Sequence, residues 1–283
     1  MTETAEQLQS SETWKVNYPS INLELNCVIN TEKDQIENNI RTNLTRDVSK
    51  VWPYKQQDTQ VAICAGGPSL IDHLEDIKEL QFNGGKVVAL ANVAHILLKH
   101  GIRPNAHVLL DAKPRNAEFI TGCETTFFIA SQCDPEVFDR AEKTGNPIYM
   151  YHAVNNDDEF QMIHEAEDRW VPIQGGSTIT MRTIRLFNIL GYHKFHMFGW
   201  DSCYKGGSHH AYEQPDADKH KKFKFEFEDR LFTVSPWMLS QALESVNFFK
   251  SFCMNIDICV HGNGLIAHII KKSGQSTINI QEA

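Results

Sequence analysis

The chain has 283 residues, of which 41% are hydrophobic, and its formal net charge at pH 7 is −9. That length is enough to bury a core as one large α/β domain, or as a domain with a small appendage, without disulfides or a structural metal. The excess of acidic residues argues against a protein that binds nucleic acid through a broad basic surface. The seven cysteines form no CxxC pair, which indicates buried thiols in a reducing cytosol. No apolar stretch reaches the length of a membrane span, so we expect a cytoplasmic protein.

The N-terminal part of the chain differs in character from the rest. Residues 1 to about 12 are polar and acidic, and we expect disorder there. Thr31 is a candidate cap for a helix from Glu32 to about Lys50. We interpret residues 1–58 as a partly disordered N-terminal extension that packs on a main domain formed by residues 59–283.

From Val61 onward, short apolar runs alternate with amphipathic segments. The predicted strands cover residues 61–65, 86–92, 106–111, 126–131, 147–152, 194–199 and 255–260. The predicted helices cover residues 69–80, 93–100, 177–190, 235–252 and 265–272. Such alternation implies right-handed crossovers. It predicts a Rossmann-like, doubly wound α/β fold, with a mostly parallel sheet and helices on both faces. Residues 206–236 break the pattern and predict an insertion with a hairpin, which could act as a lid.

The first predicted strand ends in a turn made of Gly66, Gly67, Pro68 and Ser69. Glycine allows a ligand to approach the backbone closely, and proline suits the first position of a helix. The free N–H groups of a helix N-terminus favour a phosphate, so we predict that this turn binds nucleotide phosphates. The pattern is neither a P-loop nor a dinucleotide fingerprint, and a purely structural strand-to-helix turn is the alternative.

Polar side chains also follow the later strands, where ligands bind in open parallel sheets. Those residues are Asn92, Asp111, Ser131, Gln132 and Asp201. One or two carboxylates together with substrate phosphates make the usual Mg²⁺ site, so Asp111 and Asp201 are candidate metal ligands. The alternative is that each aspartate caps the segment that follows it.

Two further elements could serve the same edge of the sheet. Gly175, Gly176 and Ser177 open the predicted helix over residues 177–190 and offer a second anion contact, with Ser177 or Thr178 as the cap. A flexible glycine pair at 206–207 could bring His209 or His210 over the site as an acid, base or electrostatic stabiliser. Adjacent histidines do not have the spacing of a structural zinc site, and the cysteines are not regularly spaced, so we predict no zinc.

Several motifs, taken in order and spacing, together resemble a known family over roughly residues 60–212. The motifs are Ala65-Gly-Gly-Pro-Ser-Leu70, Ala91-Asn92, Gly101-Ile-Arg-Pro104, Gln174-Gly-Gly-Ser177, Phe198-Gly-Trp-Asp201 and Ser208-His-His-Ala211. They are similar to those of the MptE-like 6-hydroxymethylpterin diphosphokinases. That family also contains motility-associated flagellin glycosylation factors and resembles bacterial sialyltransferases distantly. The Ala-Gly-Gly turn and Trp200-Asp201-Ser202 depart from the family's usual Gly-x-Gly and Gln-Asp-Leu.

The resemblance implies a role for each matching position. Residues 66–69 would hold nucleotide phosphates, Asn92 would bind ligand, and Asp111 and Asp201 would hold metal or sugar hydroxyls. Gly176 and Ser177 would support the second anion contact, and His210 would stand near the transferring group.

Three functions remain open from the sequence, all with small-molecule partners. The first is Mg²⁺-dependent transfer of a diphosphoryl group from ATP to a small hydroxymethyl heterocycle. The second is a glycosyltransferase that uses a CMP-activated nonulosonic or sialic acid. The third is a non-catalytic nucleotide-binding accessory protein.

Overall fold

The computed structural model describes residues 13–15, 31–212, 221–252 and 256–272. Residues 1–12, for which the sequence predicts disorder, lie outside the described residues. Within those ranges, no helix combines the length and the apolar character needed to cross a bilayer.

Twelve strands and eight α-helices are formed in the described ranges. The strands are β1 (Thr13–Lys15), β2 (Ser49–Lys50), β3 (Gln57–Cys64), β4 (Lys86–Leu90), β5 (Ala106–Leu109), β6 (Thr126–Ala130), β7 (Ile148–Ala153), β8 (Pro172–Ile173), β9 (Tyr192–Phe198), β10 (Phe223–Phe227), β11 (Arg230–Val234) and β12 (Asp257–Val260). The helices are α1 (Lys33–Leu44), α2 (Leu74–Phe82), α3 (Val93–Lys99), α4 (Pro135–Lys143), α5 (Asp157–Ala166), α6 (Ile179–Ile189), α7 (Pro236–Phe252) and α8 (Leu265–Lys272).

Nine of these strands form one sheet in the order β12-β9-β3-β4-β5-β6-β7-β2, with β8 paired to β7. Every pairing in this sheet is parallel. The chain runs outward from β3 to β7 and then returns through α6 to place β9 on the other side of β3. The order of the strands therefore reverses at β3, where a doubly wound sheet usually offers a crevice at its carboxyl edge.

Both faces of the sheet are buried. Along β3, Val61 and Ile63 point into a core shared with α6 and α8, whereas Ala62 and Cys64 point into a second core shared with α2 and α3. All four side chains are inaccessible to solvent. A continuous apolar run is what a strand covered on both faces requires. The doubly wound α/β prediction is thus confirmed.

Most of the predicted elements agree with the structure, and their differences lie at the ends. The helix predicted from Glu32 to Lys50 is an exception, because α1 ends at Leu44 and Ser49–Lys50 is a strand. The N-cap residue of α1 is Glu32 and not the predicted Thr31. The helix predicted over residues 69–80 divides into a 3₁₀ turn at Pro68–His73 followed by α2. Pro68 occupies the first turn, as its missing N–H favours. The hairpin in the insertion is confirmed by β10 and β11, which pair antiparallel, and β1 adds a parallel third strand.

The N-terminal region contributes directly to the main sheet. The boundary predicted between residues 58 and 59 falls inside β3, and β2 pairs with β7. In α1, the buried amide of Asn43 donates to the carbonyls of Ser131 at 2.9 Å and Cys133 at 2.7 Å. Asn39, one turn earlier, donates to the carbonyls of Ala112 and Gln132. Helix α1 therefore holds the loops that follow β5 and β6.

We predict that Asn43→Ala lowers the free energy of unfolding by about 2 kcal/mol, because two buried carbonyls lose their donor. Urea unfolding followed by circular dichroism measures the change. Asn38→Ala, on the exposed side of the same helix, is the matched control and should change stability by less than about 0.5 kcal/mol. Equal effects of the two substitutions would contradict the assigned role of Asn43.

Candidate functional site

The turn after β3 binds a carboxylate of the chain itself. The backbone N–H of Ser69 donates to Oδ2 of Asp201 at 2.8 Å, and the N–H of Gly67 donates to the carbonyl of Gly199 at 2.8 Å. Asp201 is 3% exposed, and desolvation raises the pKa of its carboxyl, although the Ser69 N–H opposes that shift. These bonds occupy two of the N–H groups that the sequence assigns to a nucleotide phosphate. The role of Gly66, Gly67, Pro68 and Ser69 as a phosphate turn stays a prediction.

Close packing explains the glycines around Asp201. A Cβ on Gly67 would lie 2.4 Å from the carbonyl oxygen of Gly199 and 2.5 Å from Oδ2 of Asp201. A Cβ on Gly264, after β12, would lie 2.5 Å from Cα of Asp201. The backbone N–H of Leu265 donates to the carbonyl of Asp201 at 2.8 Å. The carboxyl ends of β3, β9 and β12 therefore meet around one buried aspartate.

His210 reaches the same turn, as the flexible glycine pair suggested. Its Nδ1 lies 3.0 Å from the carbonyl oxygen of Gly66, and its ring stacks on Tyr212. Because a carbonyl only accepts, Nδ1 carries the proton, and Nε2 of the neutral ring keeps a lone pair. Burial lowers the pKa of His210, which favours that neutral form. His210 is thus suited to accept a proton beside Gly66.

Asn92 follows a strained backbone position. Ala91 has φ of +47°, a conformation that costs a residue with a side chain about 1–2 kcal/mol. The carbonyl of Ala91 accepts a hydrogen bond of 2.7 Å from Nε2 of His107. Burial lowers the pKa of His107 to about 4, so the ring is neutral at pH 7. Strain of this kind concentrates at functional sites, which makes the end of β4 a candidate for ligand contact.

Asp111 lies just beyond β5 and is exposed. Desolvation nevertheless raises the pKa of its carboxyl, against the influence of Lys113 and Arg115. Asp111 also contributes to raising the pKa values of Cys133 and Tyr151, after β6 and in β7. Asp111 therefore faces the side of the sheet where the later strands end.

The two predicted metal ligands stand on different parts of the edge. Two strands separate β5 from β9, which corresponds to about 14 Å at the usual strand spacing. Neither carboxylate contributes to the pKa shift of the other. The structure does not bring Asp111 and Asp201 together around one ion, and their role as metal ligands stays a prediction.

A pocket of about 430 Å³ opens at the ends of β7 and β8. It is lined by Gly175, Gly176 and Ser177, the second predicted anion contact, and the hydroxyl of Thr178 caps α6. Ser177 Oγ donates to the carboxylate of Glu244. Four strand spacings, about 19 Å, separate this pocket from the turn at Gly66. One phosphate group cannot contact both glycine elements.

The other polar and aromatic side chains that line this pocket are not among the predicted site residues, although Gln174 belongs to one of the motifs. They are Asn155, Asn156, Asp157, Phe160, Gln174, Arg182 and Glu244. The strand-end rule would have found Asn155 and Asn156, because they follow the fifth predicted strand. Glu244 lies in the middle of α7, so no local signal in the sequence marks it.

Arg182 has a structural role in the pocket wall. Its Nε donates to the carbonyl of Gly176 at 2.8 Å, and its Nη2 donates to Oδ1 of Asn155 at 2.9 Å. Its Nη1 donates to the carbonyls of Val154 and Ile173. The guanidinium is 6% exposed in this setting and fixes the loops after β7 and β8 to α6.

A sequence model of the family described as 6-hydroxymethylpterin diphosphokinase MptE-like matches residues 34–207. The chain belongs to this family. The match begins in α1 and ends after β9, so it includes every predicted site residue before His210. Family membership supports a transferase. Comparison with curated proteins gives no match.

A solved structure of MAf glycosyltransferase from Magnetospirillum magneticum AMB-1 has a similar fold. The TM-score is 0.65, the sequence identity is 17%, and the likeness covers 88% of this chain and 38% of that one. The chain thus spans well under half of that protein. At this identity the likeness supports the α/β fold and leaves the reaction of this chain to be argued from its own residues.

We predict that Gly67→Ala lowers the free energy of unfolding by about 1–3 kcal/mol, because its Cβ would meet backbone and carboxylate oxygens of the β9 end. Thermal unfolding measures the change. Gly122→Ala is the matched control, because a Cβ there would meet no atom within 4 Å. A Gly67→Ala protein as stable as the Gly122→Ala protein would show that the strand ends are not packed as described.

Proposed function

We propose that this chain transfers a diphosphoryl group from ATP, with Mg²⁺, to the hydroxymethyl group of a small heterocycle. The observation that carries the proposal is the lining of the pocket at the ends of β7 and β8. Three amide side chains, two carboxylates and the ring of Phe160 line this space. The amides of Asn155 and Asn156 are already bonded to Arg182 and Glu159 and shape the wall of the pocket. The carboxylates and the amide of Gln174 would hydrogen-bond the polar edge of a planar heterocycle, and the aromatic ring would stack on its face.

The charge of the pocket favours binding of the heterocyclic acceptor substrate over binding of the nucleotide. Asp157 and Glu244 are acidic, and Arg182 is the one basic residue among the described residues of the lining. Its guanidinium is already bonded to three carbonyls and an amide oxygen. The phosphates of ATP would meet two carboxylates and no available cation there, whereas a heterocycle with ring N–H and amino groups would find acceptors.

The nucleotide would lie next to the acceptor, over Asn92 and Asp111. Two strand spacings, about 10 Å, separate the end of β5 from the end of β7. The exposed carboxylate of Asp111 fits a Mg²⁺ ion that also contacts substrate phosphates, whereas Asp201 already accepts from Ser69. When bound, Mg²⁺ neutralises charge on the transferring phosphates.

The reaction is a displacement at the β-phosphorus of ATP. The hydroxymethyl oxygen bonds to that phosphorus, the bond to the oxygen bridging the α- and β-phosphates breaks, and AMP leaves. The hydroxyl proton passes to a base or to solvent. The amide-lined pocket would position the hydroxymethyl group, and positioning supplies much of the rate in phosphoryl transfer.

We expect the protein to release AMP from ATP only when a 6-hydroxymethylpterin is present, and Asp111→Asn to lower kcat/KM about 100-fold through lost charge stabilisation. Chromatographic quantification of AMP measures both effects. Asp47→Asn, another exposed aspartate, is the control. Undiminished turnover in Asp111→Asn would remove Asp111 from the site.

We also expect Phe160→Ala to raise the KM for the pterin about 10-fold with little change in kcat, because a stacked ring is worth 1–3 kcal/mol. The matched control is Phe82→Ala, since Phe82 is 91% exposed at the end of α2. Steady-state kinetics with ATP held constant separates KM from kcat. An unchanged KM would place the acceptor outside the pocket.

A glycosyltransferase that uses a CMP-activated sugar is the second candidate. His210 favours it, because the unprotonated Nε2 could accept the proton of an acceptor hydroxyl beside Gly66. Thermal-shift measurements with ATP, AMP, CMP and CMP-sialic acid distinguish the candidates, since a ligand of the native state raises the melting temperature. Stabilisation by cytidine compounds alone would overturn the diphosphotransfer proposal, and binding of ATP without its consumption would favour the accessory role.

A further inference from the structure

The edge of the sheet at β12 carries a group of metal-binding side chains. In the parallel pairing of β12 with β9, Cys259 is the direct partner of His196. His261 follows two residues after Cys259, and alternate residues of a strand share a face. Two imidazoles and a thiol thus project from one face of two neighbouring strands. Their potential ligand atoms all lie within 4.8 Å of one another.

His261 is at the centre of this group. Its Nε2 lies 3.0 Å from Nδ1 of His196, and its ring stacks on Phe198 with centroids 4.1 Å apart. Its Nδ1 is buried and has no hydrogen-bond partner among the described residues. A buried nitrogen without a partner costs free energy that a bound ligand would recover. The side chain is held in place while one of its nitrogens has no hydrogen bond.

A second group of side chains also lies close to His261. His73 and Asp76, from the 3₁₀ turn and α2, also have ligand atoms within 4.8 Å of His261. Nδ1 of His73 lies 2.7 Å from the carboxylate of Asp76. A carboxylate that orients a histidine is a frequent outer partner in metal sites. The cluster of His196, Cys259, His261, His73 and Asp76 therefore offers three ligands and an oriented pair beside them.

We propose that His196, Cys259 and His261 bind one divalent transition metal, with zinc the first candidate. Nitrogen and sulfur ligands suit Zn²⁺ and do not suit Mg²⁺. Tetrahedral ligands at 2.0–2.3 Å from zinc lie about 3.5 Å apart, so a spread of 4.8 Å closes with a small movement.

The metal would have a structural role, because it would stabilise the loop that follows β12. His261 directly precedes residues 262–264, whose glycines lie against Ser69 and Asp201. A metal that joins β12 to β9 would fix this loop and the buried aspartate beneath it. Sequence spacing could not reveal the site, because the ligands come from two strands that are adjacent in the sheet and about 60 residues apart in the chain.

Cobalt and zinc binding to the full chain tests the proposal. After removal of metals with a chelator, we expect one Zn²⁺ per chain and a rise in melting temperature of about 5 °C at saturating zinc. Co²⁺ should give a near-ultraviolet thiolate-to-metal charge-transfer band. Cys259→Ser should abolish that band, and Cys123→Ser, a half-buried cysteine outside the cluster, should retain it.

His196→Asn provides a second test if Cys259→Ser fails to fold, because His196 is only partly buried. It should weaken zinc affinity at least about 10-fold, and circular dichroism should show an unchanged fold. A native chain that binds no zinc, or a cobalt band that survives in Cys259→Ser, would overturn the proposal. The readouts are metal content and spectra, so the result does not depend on whether the transferase proposal holds.

Discussion

The hydrogen bond between the Ser69 N–H and the carboxylate of Asp201 is the interaction around which the carboxyl edge of the sheet is arranged. It joins the turn after β3 to the segment after β9, at the place where the strand order reverses. Gly67 must lack a side chain because Gly199 and Asp201 occupy its space, and Gly264 must lack one because β12 ends against Asp201. Burying a carboxylate costs free energy unless hydrogen-bond donors compensate for the lost water. The Ser69 N–H, at the start of the 3₁₀ turn, is such a donor.

This bond changes what the first glycine turn does. A strand followed by glycines and a helix N-terminus attracts an anion, and here the anion present is a side chain 132 residues away in the sequence. The ligand site that we propose lies farther along the edge, at the ends of β4, β5 and β7. Ala91, with its strained backbone, follows β4, and Asp111 follows the neighbouring β5, whereas the pocket lies at β7, two strand spacings from β5. In this proposal, Asp201 occupies the turn after β3, and the substrates bind nearer to β7.

The sequence allowed the main elements of the fold to be predicted because its strands are covered on both faces. Residues 61–65 are apolar without interruption, as β3 requires. Strands β4 and β6 are apolar after their first residue, and β5 is apolar except for the buried His107. The strand-end rule located Asn92, Asp111 and Asp201. It could not show that Asp201 turns inward to Ser69, because that depends on how β9 enters the sheet. The contact of Glu244 with Ser177 and the four hydrogen bonds of Arg182 could not be predicted either, because each joins residues that are apart in the sequence. The short strands β2 and β8 have too few residues to produce a pattern.

Two different constraints hold the ends of this edge. On one side, Asp201 and the residues around His261 bind β12 and β9 to the turn after β3. On the other side, the guanidinium of Arg182 holds the loops after β7 and β8, and Asn39 and Asn43 of α1 hold the loops after β5 and β6. Catalysis by positioning needs such rigidity, because small displacements of the reacting groups cost rate. An acceptor in the pocket and a nucleotide over Asn92 and Asp111 would both rest on loops fixed by buried side chains, which is the arrangement that a transferase with two small substrates requires.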